Sequence, residues 1–238
     1  MLEGTGQVAI IIPALNEEDA LQGLLHEIPQ DAARWIIVVD NGSSDRTAEV
    51  ARANGALVVN EPVRGYGRAC YKGLLTATEL GADILVYIDG DGSDDPADVA
   101  MMLDPVRSGA ADFVIGSRMT DRAERRAIPP QALLGNWLVS RMIHMLYGIP
   151  LHDIGSFRVI RHSALTNLHM SEMTFGWPVE MLVKAAKARY RIVELPIHYR
   201  KRSHGHSKVA GTFIGSVRAA YYMLSTTLRY AGARRQHV

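Results

Sequence analysis

Apolar positions in the first half of the chain fall into short unbroken runs, each followed by a stretch with helical spacing. Residues 8–12 form the first run, closed by Pro13, and residues 17–28 then carry apolar side chains three and four apart. A second run, 35–39, ends at Asp40 and precedes a helical pattern over 47–54. The spacing predicts a third strand over 56–60 and a long helix over 67–80. A fourth run, 84–89, is followed by a helix beginning at Pro96, a favourable first-turn position, and residues 113–116 read as a fifth strand. Near-continuous apolar strands alternating with helices predict an α/β fold, with a mostly parallel sheet covered on both faces.

The second half is less regular. An amphipathic helix is predicted over 133–146 after the break at Pro129-Pro130, a short strand over 157–160, and a helix over 179–188 after Pro178. Residues 191–199 are strand-like, but Pro196 within them predicts an edge or a bulge. Residues 200–210 are rich in Gly, Ser and His and read as a mobile loop. The apolar stretch 211–231 is interrupted by Arg218 and Arg229 and does not suit a membrane span. It reads as a C-terminal amphipathic helix that either packs on the domain or lies on a membrane surface through Phe213, Ile214, Tyr221, Tyr222, Met223 and Leu224. The expected organisation is one domain over 1–210 with an appendage over 211–238.

Polar residues collect where the strands end: Asn16 and Glu17, Asp40 and Asn41, Arg64, Asp89 and Asp91, Ser117 and Arg118. Ligands of open α/β sheets bind outside the carboxyl ends of the strands, so these positions are expected to share one crevice. The sharpest of them is Asp89-Gly90-Asp91. In an extended segment, residues i and i+2 face the same side, so both carboxylates could meet one hard cation such as Mg²⁺ or Mn²⁺, which completes its shell with substrate phosphate oxygens. The competing reading is a strand leaving the core through an Asp/Gly turn. Asp40 can accept hydrogen bonds from a base or ribose edge, whereas Ser44 or Asp45 can cap the following helix.

Charge changes the picture only locally. The formal net charge of +1 gives no global field for nucleic acid. Residues 118–126 nevertheless hold four arginines against two acids, and 200–208 hold four basic residues and no acid, which suits a phosphorylated ligand or anionic headgroups as well as a solvated loop. The single cysteine, Cys70, excludes an intrachain disulfide framework and reads as a packing residue in a reducing compartment. No signal peptide is expected. The turn Arg64-Gly65-Tyr66-Gly67 lacks the third glycine of a dinucleotide fingerprint and reads as a flexible turn carrying Arg64 toward a phosphate. His198, His204 and His206 have no cysteine partners and read as solvated.

In order along the chain, Val8–Asn16 (VAIIIPALN), VVDNGSSDRT, the Asp89-Gly90-Asp91 motif and Gly116-Ser117-Arg118 together resemble the inverting family-two glycosyltransferases of GT-A fold. Asp153-Ile154-Gly155-Ser156-Phe157-Arg158, and the sequence onward to Lys208, is similar to the dolichyl-phosphate mannose and polyprenyl-phosphate hexose synthase branch. The resemblance implies a GT-A, Rossmann-like domain with a nucleotide-sugar half over 7–118 and an acceptor half over 119–210. By position, Pro13, Ala14, Asn16, Glu17 and Asp40 would surround the nucleotide of a UDP- or GDP-hexose. Asp89 and Asp91 would hold Mg²⁺ or Mn²⁺ against its diphosphate. Arg118, with Arg158, Arg200, Arg202 and Lys208 as further candidates, would neutralise donor or acceptor phosphates, and residues 203–208 would close over the donor. The chain departs from the branch at Ser93, where a glutamine is frequent, and it lacks the QxxRW-type motif of polymer synthases.

The acceptor decides the chemistry. A polyprenyl phosphate is already an anion, whereas a sugar or small-molecule hydroxyl needs a base, for which Asp153 is the candidate. The favoured expectation is hexose transfer to a polyprenyl phosphate by a cytoplasmic protein, either free or peripheral at the cytoplasmic face of the membrane. A sugar-1-phosphate nucleotidyltransferase would be expected to carry a glycine-rich loop after the first strand, where this chain has Pro13-Ala14-Leu15-Asn16. A non-catalytic nucleotide-binding scaffold is the remaining rival.

Overall fold

The computed structural model describes residues 6–119, 128, 130–200, 225–227 and 229–230. Seven strands form one sheet: β1 (Val8–Ala14), β2 (Trp35–Asp40), β3 (Leu57–Asn60), β4 (Ile84–Tyr87), β5 (Phe113–Ser117), β6 (Arg158–Arg161) and β7 (Ile192–Pro196). The helices are α1 (Glu18–Glu27), α2 (Thr47–Ala53), α3 (Tyr66–Glu79), α4 (Val99–Arg107), α5 (Pro130–Tyr147), α6 (His162–Asn167) and α7 (Trp177–Lys187). A single 3₁₀ turn, Pro96–Asp98, leads into α4, and the Asp95 side chain caps it by accepting from Ala97 N.

The spatial order is β3-β2-β1-β4-β6-β5-β7. β6 runs antiparallel to both β4 and β5, so β5 keeps the direction of β4, and the carboxyl ends of β1 to β5 lie along one edge. The register sets Ala14 opposite Asp40 and Asp40 opposite Asn60, which brings the ends of β1, β2 and β3 level. Side chains alternate between the faces, as the pleat requires. Ile10, Ile12, Val38, Val86 and Val114 pack with Leu21 and Leu24 of α1 and Met102 and Leu103 of α4. Ile11, Ile37, Val39, Leu85 and Tyr87 pack with Cys70 and Leu74 of α3 and Met181 and Leu182 of α7. The expected helix layers on both faces are therefore present, and Cys70 is a packing residue.

Two expectations change. β4 stops at Tyr87, and Asp91 stands in a turn, so the alternation of an extended strand is not what relates Asp89 to Asp91. The strand placed between β4 and β5 comes from much later in the chain, a long-range pairing that no local periodicity encodes. Pro196 closes β7 at the edge of the sheet, where its missing N–H leaves no ladder bond unmade. Among the described residues no helix is long and apolar enough to cross a membrane. Most of the predicted C-terminal helix and the loop 201–210 lie outside the described residues, although 225–227 and 229–230 are helical.

Candidate active site at the carboxyl edge of the sheet

The loops after β1 and β2 are tied to each other. Asn16 N donates to Ser43 Oγ at 3.0 Å, and Ser44 N donates to Asn16 Oδ1 at 2.7 Å, with Asn16 itself in the left-handed region at φ 51°. Asparagine tolerates that conformation better than most residues. Glu17 N donates to Thr47 Oγ1 at 2.8 Å, and Asp40 Oδ1 accepts from Ser43 N at 2.9 Å, closing a tight turn. Asp45 takes part in the start of α2 by accepting from Thr47 N at 3.0 Å. Asn41 is buried and clamps the next loop: its Nδ2 donates to Glu61 O and Val63 O, and its Oδ1 accepts from Gly65 N. Pro13, Ala14, Asn16, Glu17 and Asp40 are thus brought together, and Asn41 is a fixing residue beside them.

Gly90 brings the acidic turn against this cluster. A Cβ at residue 90 would stand 3.4 Å from Pro13 O and 3.5 Å from Ala14 Cβ, so the acidic turn lies in direct contact with the end of β1. Asp89 lies just past β4 and accepts from Tyr66 Oη at 3.0 Å. Asp91 is buried and accepts from Ser93 N at 2.9 Å and Ser93 Oγ at 2.6 Å. Both carboxylates are held by donors that fix their orientation.

Asp94 adds a third carboxyl that the sequence reading left without a role. It is 1% exposed, Oδ2 accepts from Ser156 Oγ at 3.4 Å, and Oδ1 has no hydrogen-bond partner. Burial, reinforced by the charges of Asp89 and Asp91, pushes its carboxyl up to about 8. Three carboxyl groups thus meet at this turn, and burial together with their mutual repulsion keeps the proton on Asp94. Among the described residues no group of three or more His, Cys, Asp or Glu side chains forms a complete cage. Two oriented carboxylates in an anionic turn fit a divalent cation that takes its remaining ligands from water and phosphate.

Across the crevice, Arg118 follows β5 directly. Its Nε donates to Asp153 Oδ2 at 2.8 Å, its Nη2 to Oδ1 at 2.7 Å, and its backbone N to Oδ2 at 2.8 Å. Ile154 N adds a 2.7 Å bond to Asp153 Oδ1. Asp153 is fully buried; burial would raise its carboxyl, but the Arg118 charge and these donors hold it below the usual carboxylate range. The Arg118 guanidinium also lies 5.2 Å from the Tyr199 ring. Asn136 of α5 fixes the Asp153 segment, donating to His152 O at 2.9 Å and accepting from Ile154 N at 2.8 Å.

Other expected cations sit differently. Arg158 is 2% exposed, with Nε on Gly155 O and Nη1 on Pro178 O, so it braces the floor of the site instead of meeting a phosphate from solvent. Arg200 is paired with Glu27 and Asp95, and its backbone N donates to Ser93 O. Glu27 and Asp95 thus hold its guanidinium, as Asp153 holds that of Arg118. Arg64 is exposed, and its Nη2 reaches Gly42 O at 3.4 Å, near the Asp40 turn. His198 is exposed but paired with Asp98 at 3.0 Å. Arg202, Lys208, His204 and His206 lie outside the described residues.

A loop missed from sequence, residues 171–176, buttresses the site. Its Phe175 ring stacks on Tyr66 with centroids 6.4 Å apart. Gly67 N donates to Thr174 O, and a Cβ at residue 67 would stand 2.3 Å from Glu172 O. Buried Glu180 holds the loop from below, accepting from Ser171 N, Ser171 Oγ, Glu172 N and Tyr230 Oη. The only sequence signal for this contact was the pair of glycines flanking Tyr66.

The family model "Glycosyl transferase family 2" matches residues 9–168. An uncharacterized glycosyltransferase of Mycobacterium tuberculosis is 40% identical over 210 residues, covering 88% of this chain and 93% of the relative. An undecaprenyl-phosphate mannosyltransferase of Micrococcus luteus is 30% identical over 240 residues, covering 96% of this chain and 98% of the relative. The crystal structure of a glucosyl-3-phosphoglycerate synthase from Mycobacterium tuberculosis, in complex with Mn²⁺, uridine diphosphate and phosphoglyceric acid, superposes with a TM-score of 0.75. It is 21% identical, with 98% of this chain and 81% of that chain covered, a likeness of fold.

Proposed function

Because this chain belongs to glycosyl transferase family 2, we propose that it moves a hexose, with inversion, from a nucleotide-diphosphate sugar to a polyprenyl phosphate. The nucleotide lies against Pro13, Ala14, Asn16, Glu17 and Asp40. Asp89 and Asp91 would hold a divalent cation, which when bound supplies charge stabilisation to the departing nucleoside diphosphate. Two names support this reading: the Micrococcus luteus relative is an undecaprenyl-phosphate mannosyltransferase, and the structural neighbour was crystallised with Mn²⁺ and uridine diphosphate.

The state of Asp153 carries the acceptor assignment. A hydroxyl acceptor must lose a proton, yet both oxygens of this carboxylate are occupied by Arg118 and Ile154 N, and its basicity is depressed. A phosphate monoester needs no base. Its oxygen attacks the anomeric carbon, the bond to the donor diphosphate breaks, and the nucleoside diphosphate leaves with the electron pair. Arg118, oriented by Asp153, receives the acceptor phosphate.

The test is a panel of UDP- and GDP-hexoses with Mn²⁺ and undecaprenyl phosphate, scored for glycolipid and released nucleotide. Glycolipid formation that stops on chelation, and in Asp91→Ala, is the expected result. Transfer only to a soluble hydroxyl acceptor would replace the phosphate reading, and turnover indifferent to chelation would remove the cation.

A further inference from the structure

Helix α5 has two opposite faces with different work. Inward, Asn136, Val139, Ser140 and Ile143 are buried, and Asn136 grips the segment that presents Asp153 to Arg118. Outward, Leu134, Trp137, Leu138 and Met145 are 65%, 62%, 38% and 73% exposed, with exposed Arg141 among them. Positions 134, 137, 138, 141 and 145 follow the three- and four-residue spacing of a single helical stripe. Isolated exposed apolar side chains are ordinary, but a continuous stripe of this kind marks a contact surface.

We propose that this face of α5 docks the protein on an anionic lipid surface. The charge pattern selects that occupant: residues 130–147 contain Arg141 and His144 and no acid. Tryptophan suits the boundary between headgroups and acyl chains, and arginine can lay its stem on the apolar layer while its guanidinium meets lipid phosphates. A second copy of the chain is disfavoured, because a two-fold contact on this stripe would bring Arg141 toward its own twin. The biological sense of the docking rests on the lipid-phosphate acceptor reading. Through Asn136, the docked helix would hold the Arg118–Asp153 pair close to the surface where such an acceptor's phosphate lies.

The experiment is co-sedimentation of the full chain with vesicles of phosphatidylglycerol and phosphatidylcholine, and with phosphatidylcholine alone, in the absence of donor. Wild type is expected to bind the anionic vesicles, more weakly at high salt. The combined Leu134→Ser, Trp137→Ser and Met145→Ser variant is expected to lose about tenfold or more in partitioning, with an unchanged thermal melt. Arg141→Glu should weaken binding to the anionic vesicles specifically. Vesicle binding unaffected by the triple substitution, or absent in wild type, would overturn the docking. A wild-type dimer that the triple variant converts to monomer would instead give the stripe to a second copy. Docking without glycolipid formation would sink the acceptor reading and leave the surface assignment standing.

Discussion

Arg118 and Asp153 meet fork to fork, with Nε to Oδ2 at 2.8 Å and Nη2 to Oδ1 at 2.7 Å, and Asp153 is fully buried. Removing one partner of such a pair leaves the other charge uncompensated, which is why breaking it is far more damaging than its net contribution suggests. Asp153→Asn is expected to destabilise the fold by about 3 kcal/mol in denaturant unfolding and to raise KM for the acceptor. A variant of wild-type stability that merely lost turnover would return Asp153 to the role of general base. The pH dependence has a definite sign. A depressed carboxylate contributes stability above its unfolded value of about 3.9, lost as pH falls through the lower folded value.

Tyr66 orients Asp89 through a 3.0 Å hydrogen bond and is itself held by the Phe175 ring. Groups that orient a metal ligand typically contribute about 10- to 100-fold in metal affinity. Tyr66→Phe should therefore weaken Mn²⁺ binding, measured by paramagnetic resonance of the free ion, by about tenfold, with the melting temperature little changed. Equal affinity in variant and wild type would restrict Tyr66 to packing.

Asp94 behaves oppositely to Asp153. Its folded pKa is raised to about 8, so the folded state holds the proton more tightly than the unfolded chain does. Its favourable contribution is complete below about pH 3.9 and is lost as pH rises toward the folded value. In chelator-treated protein, Asp94→Asn should flatten the fall in unfolding free energy between pH 5 and pH 8. Parallel curves for variant and wild type would show that Asp94 is ionised without penalty.

Glu180 gathers donors from three segments: Ser171 and Glu172, Lys184 on its own helix at 2.7 Å, and Tyr230 near the C-terminus. Truncation to alanine leaves buried donors unpaired around it and should remove about 3 kcal/mol of stability. Tyr230→Phe deletes one donor and should remove about 1 kcal/mol. Both are read from urea midpoints. If Tyr230→Phe proved as damaging as Glu180→Ala, the terminal contact and not the carboxylate would be the main anchor.

Sequence alone determined the alternation of strands and helices, because burial on both sheet faces enforces unbroken apolar runs such as 8–12 and 35–39. It also set Asn16, Asp40, Asp89, Asp91 and Arg118 at or just past the ends of strands, since polar groups can follow an apolar strand only where the chain leaves the core. Tertiary structure decided what pairing over long separations controls. It inserted β6 between β4 and β5, turned Arg158 inward onto backbone carbonyls, gave Arg200 to Glu27 and Asp95, and set Tyr66 on Asp89. Arg118 and Asp153 were both legible as charged candidates, 35 residues apart. Their bond was not legible, because a residue's charge is written in its identity, whereas its partner depends on which distant segment the fold places within hydrogen-bond reach.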